Sequence, residues 1–197
     1  MPPFPHFGET LAFISTLMWA TCVILFRIAG YTVSPLALNL FKDVLGTVLL
    51  VITLIATHSL WPAGVNVSDF LLIAASGVVG IAIADTLFFM SLNLLGAARS
   101  AIIDCLYSPF IIVSAYFLLG EKLSPLASVG AVLIVSGVFF TSRDAGHIEI
   151  SRSDFWKGLF YGALSMAFMA LSIVVIKRTL NTNPVLWSTT ARMSGGA

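Results

Sequence analysis

Hydrophobic residues follow one another along this chain in long blocks, and short polar segments separate the blocks. Six blocks come close to or exceed the roughly 20 mostly apolar residues that a helix needs to cross a bilayer. They span Thr10–Ile28, Pro35–Thr57, Phe70–Leu95, Ala98–Leu119, Pro125–Thr141 and Gly158–Ile176. The fifth block is short, so we expect its helix to cross with little tilt. The pattern predicts an all-α integral membrane protein, a multi-helix transmembrane bundle.

Three predicted helices begin with the same local pattern, an N-cap acceptor followed by a proline at the first helical position. The dipeptides are Ser34-Pro35, Ser124-Pro125 and Asn183-Pro184. The last of them opens a seventh run, which reaches Ala197 and is too short to cross a bilayer. We therefore expect the chain to be truncated within this element.

The composition indicates lipid as the surroundings of these helices. Hydrophobic residues make up 58% of the 197 residues and charged residues only 10%, whereas a soluble domain carries about a quarter charged residues. The net charge of +1 gives no field that would attract a nucleic acid. Cys22 and Cys105 lie inside apolar blocks, which indicates small core residues. His6, His58 and His147 lie outside the blocks without ligand spacing, so we predict neither a metal nor a cofactor.

A weak internal similarity relates the two ends of the chain. A shift of 150 residues aligns Gly8 with Gly158, Ser15 with Ser165, Ala20 with Ala170, Arg27 with Lys177, Lys42 with Arg192 and Gly46 with Gly196. Five helices precede the second copy, which must therefore enter the membrane from the opposite side, as in the inverted repeats of many secondary transporters. The predicted organisation is a five-helix repeat over residues 8–142, a polar loop over residues 143–157 and the beginning of a second repeat over residues 158–197.

Asp85 is the most informative ionisable residue, because it lies deep in the third block, near the midplane of the bilayer. A charge there costs roughly 2.5–3.5 kcal/mol on insertion scales, and an aspartate side chain is too short to reach the interface. The residue follows a row of small side chains at Ser76, Gly80 and Ala84, along which helices can approach closely. Two interpretations remain open, a substrate or proton site and a structural carboxyl bonded to a neighbouring helix.

The fourth block carries a polar stripe at helical spacing. Its members are Ser100, Asp104, Tyr107 and Ser114. Pro109 interrupts the backbone ladder and leaves the carbonyl of Cys105 without its helical partner. A kinked helix with free carbonyls beside polar side chains is typical of transporter sites at the midplane. A buried Ser–Asp bond beside a packing kink is the alternative.

Lys42, Asp43 and Trp19 are further polar candidates inside the blocks. Lys42 lies near the beginning of its helix and is expected to snorkel toward the interface. Asp43 lacks that reach and needs a partner, such as a cation on another helix, because sequence neighbours point about 100° apart and need not pair. Trp19 is far from the interface where tryptophans collect, so it either lines a cavity or packs in the core.

An enzymatic alternative rests on the two aspartates of consecutive helices. Asp85 and Asp104 resemble the pair of an intramembrane aspartyl protease, in which two close carboxylates share a proton. The Gly-x-Gly-Asp sequence expected in such an enzyme is missing, since Asp85 follows Ile83-Ala84. The internal repeat also favours transport over proteolysis.

The stretch Gly96–Pro109, continued by Phe117–Pro125, resembles the EamA family of the drug/metabolite transporter superfamily. The most specific features are the proline inside the fourth helix and the Gly120-Glu121 pair at its end, followed by a short fifth helix. Lys42 occupies a place where the family often has a basic residue. The resemblance extends over nearly the whole chain and implies ten helices in two inverted five-helix repeats, of which this chain supplies the first and the start of the second.

The resemblance implies a secondary carrier of small metabolites or drug-like compounds, working by alternating access in the inner or plasma membrane. Proton coupling suits the intramembrane carboxylates, a homodimer remains open, and no nucleic acid is expected as a partner. The residues expected to bind substrate or an ion are Asp85, Asp104, Tyr107, Lys42 and Trp19. The residues expected to shape the end and the bend of the fourth helix are Pro109, Gly120 and Glu121. The motifs do not fix the substrate, the direction of transport or the coupling ion.

Overall fold

The computed structural model describes residues 6–62, 64–122, 124–143 and 150–197, and every regular element within these ranges is helical. The predicted polar loop over residues 143–157 therefore lies partly outside the described residues. The helices are α1 (Phe7–Ala29), α2 (Pro35–Ala56), α3 (Val67–Gly77), a π-helical segment (Val78–Ile83), α4 (Ala84–Leu95), α5 (Ala97–Asp104), α6 (Tyr107–Leu119), α7 (Pro125–Arg143), α8 (Arg152–Val175), α9 (Lys177–Thr182) and α10 (Val185–Gly196).

Five helical stretches of the described chain are long and apolar enough to cross a membrane. They are Phe7–Ala29, Pro35–Ala56, Val67–Leu95, Ala97–Leu119 and Arg152–Val175. The block predicted to give a short fifth helix forms the apolar helix α7, whose apolar part, Pro125–Phe140, is shorter than the others. The predicted all-α membrane fold is confirmed, because every apolar block of the sequence is helical, although the third and fourth blocks are each divided into shorter helical segments.

The Ser-Pro dipeptides begin their helices as predicted. The hydroxyls of Ser34 and Ser124 each accept a hydrogen bond from the backbone N–H three residues later, at 3.3 and 3.1 Å. The corresponding prediction for Asn183 is wrong. Its side-chain amide donates to the Asp69 carboxylate at 3.3 Å and to the last turn of α9, so it does not cap α10.

Two hydrophobic clusters form the interior of the bundle. The larger joins α1, α2, α4, α5 and α8 through Val23, Leu38, Phe88, Phe89, Leu92, Leu95, Ile103 and Met166. The smaller joins α2, α3 and α10 through Leu54, Ile73, Trp187 and Ala191. Many apolar side chains of α1 and α7 remain exposed, which suits helices that face lipid tails.

Contacts at the C-terminal end of α4 show the relative directions of α1 and α8. Arg27, in the last turn of α1, donates to the backbone oxygen of Asn93 at 2.7 Å. Ser91 donates to the backbone oxygen of Gly158, which lies near the beginning of α8, at 2.8 Å. Because the end of α1 and the beginning of α8 meet the same end of α4, these two helices run in opposite directions.

Glycines allow α3 and α10 to touch backbone to backbone. A Cβ added at Gly77 would lie 1.9 Å from the backbone oxygen of Arg192, and one at Gly195 would lie 2.0 Å from that of Ala74. A backbone atom cannot move aside as the tip of a side chain can. This contact therefore depends on small residues, as is common between membrane helices.

We expect Gly77→Ala to push α10 away from α3 and to lower the free energy of unfolding by about 1–3 kcal/mol, the usual range for overpacking. Gly130→Ala in α7 is the matched control, since an added Cβ there meets nothing within 4 Å and alanine has the higher helix propensity. The measurement is unfolding of the purified protein in detergent. Equal stability of the two variants would contradict the close packing of α3 on α10.

Candidate functional site

The helix that carries Asp85 is interrupted directly before that residue. Residues 78–83 form a π-helical segment, and such segments occur frequently at functional sites. The side chain of Asn39, on α2, donates to the backbone oxygens of Ile81 and Ala82, both at 3.1 Å, and to the hydroxyl of Thr86. The buried side-chain amide of Asn39 thus hydrogen-bonds to two carbonyl groups of the π-helical segment. These bonds fix the position of the segment that precedes Asp85.

Lys42 joins α2 to this interrupted helix through two carboxylates. Its ammonium group donates to Asp85 at 2.9 Å and also to Asp43, the next residue along its own helix. Asp43 is fully buried, and the side chains of Lys42 and Asp85 are 21% and 16% exposed. The result is a polar cluster of one cation and two anions inside the apolar bundle.

Two expectations about this cluster are therefore wrong. Lys42 does not snorkel to the interface, because its ammonium group is occupied by the two carboxylates. The partner of Asp43 is the neighbouring lysine and not a cation on another helix. The physical reason is the flexible four-carbon stem of lysine, which bends back over its own turn and overcomes the 100° between neighbouring positions.

Trp19 and Asp104 form a second polar contact. The indole N–H of Trp19 donates to the Asp104 carboxylate at 3.2 Å, and the ring packs on Phe88 with a centroid distance of 6.1 Å. This bond explains why a tryptophan lies far from the membrane interface. The hydroxyl of Ser100 is buried without a partner, so the alternative of a Ser–Asp bond within the stripe is not what holds Asp104.

The two aspartates that an aspartyl protease would need are bound to different partners. Asp85 pairs with Lys42, and Asp104 accepts from Trp19. Among the described residues, no hydrogen bond joins the two carboxylates. The arrangement gives no support to a dyad that shares a proton.

The fourth predicted helix breaks between Asp104 and Tyr107. The backbone N–H groups of Cys105 and Leu106 bond to carbonyls three residues earlier, at 3.2 and 2.9 Å, and a new helix begins at Tyr107. Pro109 is buried in the first turn of this new helix, where a proline is tolerated because its missing donor is not needed. Asp104 and Tyr107 consequently lie on the two sides of the break.

We expect Pro109→Ala to restore a continuous helix across the break while membrane insertion stays normal and, for the carrier that the sequence predicts, to lower the initial rate of solute transport. The reason is that the restored N–H of residue 109 can bond to the carbonyl of Cys105 and rotate Asp104 relative to Tyr107. The measurement is uptake into liposomes at matched protein levels. An unchanged rate would show that the break is needed only for packing.

The end of α6 is tied to the beginning of α9. Gly120 adopts a left-handed backbone conformation, with φ of 65°, and ends the helix, which glycine does at little cost. The carboxylate of Glu121 pairs with the ammonium group of Lys177. Glu121 thus anchors the end of the fourth predicted helix, and Lys177 is its partner from α9.

Arg192, on α10, is a site residue that sequence reasoning missed. Its guanidinium donates to the hydroxyl of Ser172 at 2.8 Å and lies near enough to Asp85 and Tyr107 to interact with both electrostatically. The internal similarity contained the signal, because the 150-residue shift aligns this arginine with Lys42. The two cations that the 150-residue shift aligns, Lys42 and Arg192, thus approach the same carboxylate.

A cavity of about 370 Å³ opens between α8, α9 and α10, next to Arg192. Its wall includes Ile81 of the π-helical segment, Arg192 and Ser188. Within the described part of the chain, no three His, Cys, Asp or Glu side chains are grouped to hold a metal ion. The chemistry that these groups offer is ion pairing, hydrogen bonding and the exchange of a proton at a carboxylate.

Comparison with known protein families identifies a match for this chain. Residues 6–143 match the model of the EamA-like transporter family, and this stretch is well over half of the chain. A search of the curated proteins gave no match, and neither did a search of the solved structures.

Proposed function

The chain belongs to the EamA-like transporter family, and on this premise we propose that it is a secondary carrier of small metabolites or drug-like compounds that works by alternating access. It is a multi-pass membrane protein, and we place it in the cell membrane. The observation that carries the proposal is the cluster of Lys42, Asp43 and Asp85 on two helices inside the bundle.

Charged groups at this depth need a function or a partner, because their insertion is costly. Here the cost is only partly offset, since one ammonium group serves two carboxylates. The cluster lies beside an interrupted helix, and the second polar pair, Trp19 and Asp104, lies beside another. Interrupted helices with polar side chains are how carriers form sites that water and solute can reach.

The proposed architecture is a pair of inverted repeats, the first over residues 8–142 and the beginning of the second over residues 158–197. The opposite directions of α1 and α8 support it. The approach of Lys42 and Arg192 to the same carboxylate also supports it, because the two positions are equivalent under the internal shift. If the architecture holds, α1 and α8 superpose after a half-turn about an axis in the membrane plane.

The experiment that tests the carrier function is uptake by the full-length protein in sealed liposomes. A mixture of small metabolites and drug-like compounds is added outside, with and without an imposed pH gradient, and the trapped solutes are identified by mass spectrometry. Liposomes without protein give the background. Accumulation of at least one solute above this background is expected. Correctly inserted protein that moves none of them would refute the proposed function.

A further inference from the structure

The guanidinium of Arg192 has no anionic partner of its own. One of its terminal nitrogens donates to the neutral hydroxyl of Ser172 at 2.8 Å, while Nε is buried without a hydrogen-bond partner. Among the described residues, no carboxylate lies within 4.0 Å of this guanidinium. Because a buried charge is costly unless it is paired, an anion in direct contact would stabilise this guanidinium.

The two carboxylates of the Lys42 cluster are already engaged. Asp85 interacts with Arg192 electrostatically, but its carboxylate is bonded to Lys42. Asp43 is bonded to the same ammonium group. Lys42 therefore bonds to two carboxylates and Arg192 bonds to none, so the charges of the four groups cancel in sum while the guanidinium on α10 has no anion in direct contact.

This unpaired cation lines the cavity between α8, α9 and α10 together with a second unsatisfied group. Ser188 lies one turn before Arg192 on the same face of α10, is 2% exposed, and has a buried hydroxyl without a partner. The volume of about 370 Å³ falls in the range of small-molecule sites, about 300–1,000 Å³. Much of the remaining wall is apolar and includes Ile173 and Met193.

We infer that this cavity binds an oxyanion, a carboxylate or phosphate group carried by the transported solute, and that Arg192 is its anchoring cation. This inference rests on the proposed carrier function and names its substrate class. Arginine suits the task because its planar fork of donors matches carboxylate and phosphate oxygens. Ser188 supplies a further donor, and the apolar wall accepts the remainder of the solute.

The test uses purified full-length protein in detergent, with benzoate and inorganic phosphate as probes and benzamide as the neutral analogue of benzoate. Affinities are measured by calorimetry and by the shift of thermal unfolding. The parent protein is expected to bind at least one anion and not benzamide. Arg192→Gln should weaken anion binding by about tenfold or more, since a charge-assisted bond is lost, and Arg192→Lys should retain part of it. Arg178→Gln, at an exposed cation of α9, should bind like the parent.

Three outcomes would overturn the inference. The first is an absence of anion binding by the parent, and the second is equal binding by the parent and Arg192→Gln. The third is stabilisation that depends on Arg192 but comes only from added phosphatidylglycerol, which would assign the site to a lipid headgroup. Failure of the proposed carrier function can be distinguished from failure of the oxyanion site. Arg192-dependent anion binding without transport of any solute would refute the carrier, whereas transport of neutral solutes without anion binding would refute only the oxyanion site.

Discussion

Asp85→Asn is expected to abolish the accumulation of solute that is driven by a pH gradient, while exchange down a concentration gradient continues. Asparagine keeps the shape of the side chain and can still accept a hydrogen bond from Lys42, so the contact between α2 and α4 is retained. It cannot bind and release a proton. If the carrier couples to protons, the carboxylate that bridges the two helices beside the π-helical segment is the group whose loss should remove the coupling.

The measurement is uptake by full-length protein in liposomes, with and without the imposed pH gradient. Asp154→Asn is a suitable control, because this carboxylate lies at the beginning of α8 and its side chain is 46% exposed. Accumulation by Asp85→Asn equal to that of the parent would make Asp85 a structural residue. A parent protein that ignores the pH gradient would refute proton coupling and leave Asp85 as a binding residue.

The helices could be predicted because the bilayer imposes a simple rule on sequence. Each crossing needs about 20 apolar residues, so the length and composition of blocks such as Pro35–Thr57 are enough to predict a helix. That Asp85 needs a partner inside the protein was predictable for the same reason, since a short carboxylate deep inside such a block cannot reach water, and Lys42 is that partner. These predictions depend on local properties of the chain and on the solvent, and not on how the helices are arranged.

The contacts between helices could not be predicted from the sequence. Residues 78–83 contain only valine, glycine, isoleucine and alanine, and nothing in them requires a π-helical turn. The turn is held by Asn39 from another helix. The bond between Trp19 and Asp104 likewise joins residues 85 positions apart. The sequence alone predicts snorkelling for Lys42, because it does not show that Asp85 lies within reach of the ammonium group.

Lys42→Met should be the most destabilising single change at this site. It removes the ammonium group that both Asp43 and Asp85 share, and Asp43 is fully buried, so its charge cannot be hydrated instead. Breaking a buried ion pair by removing one partner costs about 3–5 kcal/mol. Lys177→Met is the matched control, because its pair with Glu121 is 47% exposed on both sides and such surface pairs contribute only about 0–1 kcal/mol.

A double variant, Lys42→Met with Asp43→Asn, distinguishes the two ways in which Lys42→Met could destabilise the protein. One is the loss of charge balance around Asp43, and the other is the loss of side-chain packing. In Lys42→Met with Asp43→Asn, the buried group is neutral, and we expect about half of the lost stability to return, since one of the two stranded charges is gone. Unfolding in detergent measures both variants against the parent. If the double variant is no more stable than Lys42→Met alone, the stem of Lys42 matters for its packing between α2 and α4. Recovery would show that the bundle tolerates Asp43 only because a lysine lies beside it.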